Sequence, residues 1–174
     1  MANLWEVRPG WLPYLKAHYL LAGLRTLYDY ETSWQPDRAT GWVYAEDTAG
    51  NRKIGLQPAL WPGALAETGP ALLDELHQET GIRYEAACYQ AYKDGAGTGW
   101  HYDADWPEQA VISLGVTRTF GMKGRTGRGE VFFPVSQGDL LVMHAGCQEA
   151  YEHNVVKEDV QGERVSLVFR AAKV

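Results

Sequence analysis

YEAACYQAY (residues 84–92), TGWHYDAD (98–105), AVISLGV (110–116), TFGMKG (119–124), GEVFFPV (129–135), GDLLVMHAG (138–146), AYEHNVV (150–156) and RVSLVFRA (164–171) are short runs set apart by Gly, Pro or charged residues. Their side chains alternate with a period of two, the periodicity of extended chain. Strands of this length at this spacing predict an antiparallel sandwich or barrel, and we read a jelly roll. Upstream the period changes. Pro13 suits a first helical turn, and residues 14–30 carry Leu15, Tyr19, Leu20, Leu24, Leu27 and Tyr28 at helical spacing. Residues 70–80 (PALLDELHQET) predict a second helix, with Gly81 as its C-cap. Between them, residues 33–63 mix Trp34, Trp42, Tyr44 and Trp61 with Gly, Pro, Asp and Asn, a pattern of short strands and loops that would suit a lid.

The expected fold class is therefore α+β, mainly β: a double-stranded β-helix (jelly roll) with N-terminal helices packed on one sheet. The 174 residues suit one domain, 1–174, with a helical and lid-forming part at 1–83 and the jelly-roll core at 84–174. No apolar run reaches the roughly 20 residues of a membrane span, and the first residues lack a signal-peptide pattern, so a soluble cytoplasmic protein is expected. Cys88 and Cys147 are too far apart for a Cys-x-x-Cys pair and read as buried free thiols. The net charge of −6 argues against a protein that coats long nucleic acid, so any such contact must be local. No obligate protein partner is evident.

His101 and Asp103 lie two residues apart in a strand-like run and so point the same way, which makes two-thirds of a metal site. His153 is the best third ligand; His18, His77 and His144 read as structural or surface histidines. Two imidazoles and a carboxylate on one face leave coordination positions open, the arrangement of non-haem Fe(II) oxygenases. In the run RVSLVFR (164–170), Val165, Leu167 and Phe169 form an apolar face, while Arg164, Ser166 and Arg170 share the other with Val168. Two arginines on the inward face of a small barrel call for anions, and guanidinium forks match carboxylates. The competing account is an edge strand with solvated arginines.

The run YKDGAGTGWHYDAD followed by SLGVTRTF, GDLLVMHAG, YEH and RVSLVFR resembles the AlkB family of Fe(II)/2-oxoglutarate dioxygenases, over roughly residues 84–171. The resemblance implies Fe(II), 2-oxoglutarate as cosubstrate and O2, with His101, Asp103 and His153 as iron ligands and catalytic centre. It further implies that Arg164 binds the distal carboxylate of 2-oxoglutarate, with Tyr92 as its hydroxyl partner and Arg170 near the metal end. Gln90 stands where the family usually has Asn two residues before this tyrosine, and Ser166 and Val168 replace Asn and Thr of the family's arginine motif. Both changes touch polar groups around the cosubstrate.

By the same resemblance the substrate is alkylated DNA or RNA, repaired by oxidative demethylation of its bases. Asp105 matches an acidic position that contacts the base if the strand continues past Asp103; otherwise it is a loop aspartate. Trp42 or Tyr44 would stack on an extruded base, or else pack in the core. Arg118, Lys123, Arg125 and Arg128 form a basic cluster that would grip phosphates, or else solubilise a loop. Two other readings stay open: a hydroxylase of the same fold acting on a nucleotide, small metabolite or protein side chain, and a non-catalytic jelly-roll binding module.

Overall fold

Alternating side chains in the second half of the chain build two antiparallel sheets. The computed structural model describes residues 3–127 and 129–172. In chain order the elements are β1 (Trp5–Arg8), α1 (Tyr14–Arg25), β2 (Arg38–Ala45), α2 (Ala49–Lys53), a 3-10 turn (Gly63–Leu65), α3 (Thr68–Thr80), β3 (Ala86–Lys93) and β4 (Glu108–Gly115). They continue with β5 (Arg118–Gly124), β6 (Glu130–Val135), β7 (Leu140–Met143), α4 (Cys147–Ala150), β8 (Tyr151–Val155) and β9 (Glu163–Ala171). One sheet has six strands in the order β1-β7-β4-β9-β3-β2, the other three in the order β6-β5-β8. This is the expected mainly β architecture.

The central strand β9 shows how the alternation is used. Val165, Leu167 and Phe169 point to the outer face, where they join Leu20, Leu24, Leu72 and Leu76 of α1 and α3 in one core. Val168 points to the inner face, where Cys88, Tyr92, Val111 and Met143 meet Phe120, Met122 and Val155 of the smaller sheet. Each buried aliphatic side chain of this kind contributes about 1.5 to 3 kcal/mol through removal from water. The N-terminal helices thus cover one face of the large sheet, and the small sheet covers the other. The inner face is where polar side chains are admitted.

Several local expectations need correction. The first helix ends at Arg25, because Thr26 closes it with backbone and hydroxyl hydrogen bonds to the Gly23 carbonyl. Its buried stripe is Ala17, Leu20, Leu21, Gly23 and Leu24; Leu15 and Tyr19, expected inside, are 67% and 72% exposed. The second helix ends as expected on Gly81, at φ 71°, a left-handed conformation that favours glycine. The run 98–105 is not a strand. It joins the sheet only through a single bridge between His101 and His153, then turns through a hydrogen bond from Trp106 N to the Asp103 carbonyl. Strand β1 and the short helices α2 and α4 lie outside the elements that the sequence predicts. No helix among the described residues is long and apolar enough to cross a membrane. Cys88 and Cys147 are free and buried.

Candidate active site

The bridge between His101 and His153 sets the site. Each backbone N–H donates to the other's carbonyl, at 3.1 and 2.8 Å, which brings the two imidazole centroids to 4.4 Å. Asp103 follows two residues on, and one donor atom from each of His101, Asp103 and His153 lies within 4.8 Å of the others. The Nδ1 of His101 lies 2.8 Å from the Gly99 carbonyl, which fixes a protonated Nδ1 and leaves Nε2 as the free ligand. The His153 ring packs against Phe120 and is buried. Burial, reinforced by the neighbouring His101, pushes its pKa down to about 4, so the imidazole is neutral and able to ligate at physiological pH.

Asp103 is held from three directions. Its Oδ2 accepts from Gln109 Nε2 at 2.8 Å, its backbone N–H donates to Gln148 Oε1 at 2.9 Å, and Arg170 Nη1 lies 3.3 Å from Oδ1. Burial raises the carboxyl pKa, but Arg170, Gln109 and the two imidazoles outweigh it, and the net direction is down. A carboxylate is the form a metal requires. Gln109 and Gln148, both buried, are site residues that the sequence does not announce as such. Gln109 stands out only as a polar residue in the apolar strand β4; Gln148 carries no signal.

The paired arginines occupy the inner face of β9. Arg164 is 1% exposed and has no carboxylate partner among the described residues; its Nη2 donates to Ser113 Oγ at 3.1 Å, while Nε and Nη1 have no hydrogen-bond partner among them. Burial, set against the Tyr92 side chain and reinforced by Arg118, lowers its pKa to about 10. A buried guanidinium with unused donors is costly on its own and suited to an incoming carboxylate. Tyr92, opposite Arg164 across the β3–β9 ladder, donates its hydroxyl to Gln90 Oε1 at 2.6 Å. Gln90, Ser166 and Arg170 line the same inner cavity as the triad.

A family model described as the 2OG-Fe(II) oxygenase superfamily matches residues 24–170. The chain belongs to that superfamily. Its members use Fe(II), 2-oxoglutarate and O2, and within it the chain is similar to AlkB-type proteins. It is 27% identical to human alpha-ketoglutarate-dependent dioxygenase alkB homolog 3 over 93% of its own length and 64% of that protein's. The chain thus spans just under two-thirds of that relative. Among solved structures, OsALKBH1 superposes with a TM-score of 0.63 at 14% identity, covering 98% of this chain and 99% of that one. A Pseudomonas putida prolyl-4-hydroxylase superposes with a TM-score of 0.65 at 17% identity, covering 98% and 93%. These likenesses establish the fold. The donor set fits iron, and the unsatisfied nitrogens of Arg164 fit the far carboxylate of 2-oxoglutarate.

The oxygenase's expected substrate residues divide. Trp42 is on the inner face, with Trp106 at 5.6 Å and the Arg170 guanidinium at 5.9 Å. Tyr44 is not. A bulge between Trp42 and Tyr44 breaks the alternation, so Tyr44 turns to the helical side, stacks on Trp61 at 5.2 Å and hydrogen-bonds Glu46. Asp105 sits exposed in the turn after Asp103, because the strand does not continue; buried Trp106 lies against Arg170 instead. Arg118 is no phosphate ligand. It is 1% exposed, pairs with Glu158 and donates to the Gly95 and Val156 carbonyls at 2.7 and 2.6 Å, tying two loops to β5. Arg118→Gln is expected to cost about 3 kcal/mol of stability, a fall of roughly 6 to 12 °C in Tm. An unchanged melting curve would contradict that structural role. Lys123 lies 5.6 Å over Trp100 and Arg125 3.8 Å over Tyr102, near the triad. Arg128 lies outside the described residues.

Proposed function

We propose that this chain is an oxidative demethylase of alkylated nucleic-acid bases, using the His101, Asp103 and His153 centre. The observation that carries this reading is the surface beside the triad. A cleft of about 370 Å³ opens directly onto His101 and Asp103. Next to His101, Trp100 and Tyr102 each lie under a cation, Lys123 and Arg125. Aromatic faces with nearby cations suit unpaired bases and their phosphates. The likeness to alkB homolog 3 supports the same reading.

When bound, Fe(II) with 2-oxoglutarate and O2 supplies the oxidation of a C–H bond, and an N-methyl group so hydroxylated leaves as formaldehyde. The chain's own residues do the positioning. His101, Asp103 and His153 hold the metal; Gln109 and Arg170 keep Asp103 ionised and aimed. Arg164 with Tyr92 takes the far carboxylate, which orients the cosubstrate. Trp42, beside Trp106 and Arg170, supplies a ring for the extruded base. The net charge of −6 favours a second reading, a hydroxylase acting on a nucleotide, small metabolite or protein side chain.

Succinate formation from 2-oxoglutarate, measured against methylated oligonucleotides, methylated nucleosides and peptides, separates the two. Stimulation by methylated oligonucleotides is expected. The double variant Lys123→Gln, Arg125→Gln should weaken oligonucleotide binding for all sequences alike and reduce the salt slope by about 0.7 for each phosphate no longer neutralised. Trp42→Ala should lower turnover of oligonucleotide and nucleoside together, by the roughly 1 to 3 kcal/mol that a base–aromatic stack supplies. If oligonucleotides neither bind at low salt nor stimulate turnover, the hydroxylase reading replaces this one.

A further inference from the structure

The side of α1 that faces solvent is apolar. Tyr14, Leu15, His18, Tyr19 and Ala22 are exposed there, and none of them is a carboxylate, a lysine or an arginine. The two cations of the helix are engaged elsewhere: Lys16 Nζ lies 2.7 Å from Glu75 Oε2 of α3, and Arg25 pairs with Glu163. Tyr14, Leu15 and Tyr19 are 69%, 67% and 72% exposed, three large side chains in water on one side of one helix. Apolar side chains gathered in this way mark a contact surface. Beside them, between α1 and the start of α3, runs a groove of about 590 Å³ lined by Leu15, Tyr19, Leu20, Gly23, Ala64 and Leu72. Gly23 keeps the groove open, since a Cβ there would already meet Leu65 at 3.1 Å and Ala64 at 3.6 Å and any longer side chain would fill the space. One face thus carries both protruding side chains and a recess of matching chemistry.

We propose that a second copy of this chain covers that face, in a twofold dimer whose α1 helices cross antiparallel at Tyr19. The spacing carries the register. Leu15, Tyr19, Ala22 and Gly23 fall at i, i+4, i+7 and i+8, along one side of the helix. With Tyr19 on the axis, Leu15 of one copy stands opposite the partner's Gly23 and enters the groove left open there. The twofold axis makes the same contact twice. Lys16 falls opposite the partner's Ala22, so the register brings no like charges together. Two tyrosines and a leucine at these exposures, with the groove walls they cover, bury on the order of 1,000 Å² across the pair. That is the low end for a specific interface, so the dimer is reversible, with a Kd in the micromolar range or weaker. Helix α1 covers the outer face of the large sheet and the triad lies on the inner one, so both clefts stay open and each copy works independently.

Sedimentation equilibrium of the full chain, over roughly 1 to 500 µM to bracket such a Kd, tests this. The mass is expected to climb with concentration from 19.4 kDa towards twice that value. Leu15→Glu and Tyr19→Lys each introduce a charge that the contact would have to desolvate, and each should weaken association by about tenfold or more. Both positions are exposed in the single copy, so the melting curve at low concentration and 2-oxoglutarate turnover should stay as they are. Tyr19→Cys should cross-link to itself on mild oxidation, because the axis passes through that position, whereas Val131→Cys, 52% exposed on the small sheet, should not. A mass that stays at 19.4 kDa throughout overturns the proposal and leaves the groove to a different occupant. Association untouched by both charge substitutions, or cross-linking equally strong in Val131→Cys, also overturns it, because the copies would then meet through another surface.

Discussion

His153→Ala is expected to abolish 2-oxoglutarate turnover, whereas His144→Ala leaves most of it. The two histidines flank the same stretch of chain, and only geometry separates them. His153 offers a neutral ring nitrogen within 4.8 Å of donors on His101 and Asp103, while His144 hydrogen-bonds Glu6 on the far edge of the sheet. Removing a partner that merely orients a metal ligand costs about 10- to 100-fold in affinity or activity. Removal of a ligand itself should cost more. His101→Ala should behave like His153→Ala, and Asp103→Asn tests the carboxylate without leaving Arg170 beside an apolar gap. Succinate release measures the loss, and thermal melts show whether the variants remain folded. The reverse ranking of His144 and His153 would move the third ligand elsewhere.

Arg164→Lys should raise the KM for 2-oxoglutarate by about tenfold or more, although the charge is kept. The reason lies in the donors rather than the charge. Arg164 already spends Nη2 on Ser113 and holds Nε and Nη1 buried without partners. A lysine has one ammonium to divide between Ser113 and a carboxylate, and cannot present two parallel donors. Arg170→Lys acts through a different route, by loosening Asp103, and should affect metal binding first. Succinate formation at varied 2-oxoglutarate separates these outcomes. An unchanged KM in Arg164→Lys would place the far carboxylate elsewhere.

Much of this site is legible in the sequence for a physical reason: strand alternation is strict wherever a face is buried. Val165, Leu167 and Phe169 against Arg164, Ser166 and Arg170 can be assigned to opposite faces of β9 from period two alone. The His101, Asp103 and His153 cluster follows from residue chemistry together with family resemblance. Alternation fails where the ladder is irregular. The bulge after Trp42 sends Tyr44 to the helical face, and the turn after Asp103 sends Asp105 into solvent and draws Trp106 in. Charge misleads in a different way. Arg118 sits near Lys123 and Arg125 in the sequence, yet its strand-entry position is enclosed by the loops of Gly95 and Val156, where their carbonyls and the Glu158 carboxylate receive its guanidinium.

If the triad and Arg164 form one site that holds metal and cosubstrate together, 2-oxoglutarate should bind well only where the metal is already in place. Anaerobic calorimetric titration of 2-oxoglutarate into the protein, with and without Fe(II), decides this. Stoichiometric binding is expected that depends on the metal, is lost in His153→Ala and is weakened in Arg164→Lys. Equal heats with and without Fe(II), or binding untouched by either substitution, would mean that the triad and Arg164 do not share a site.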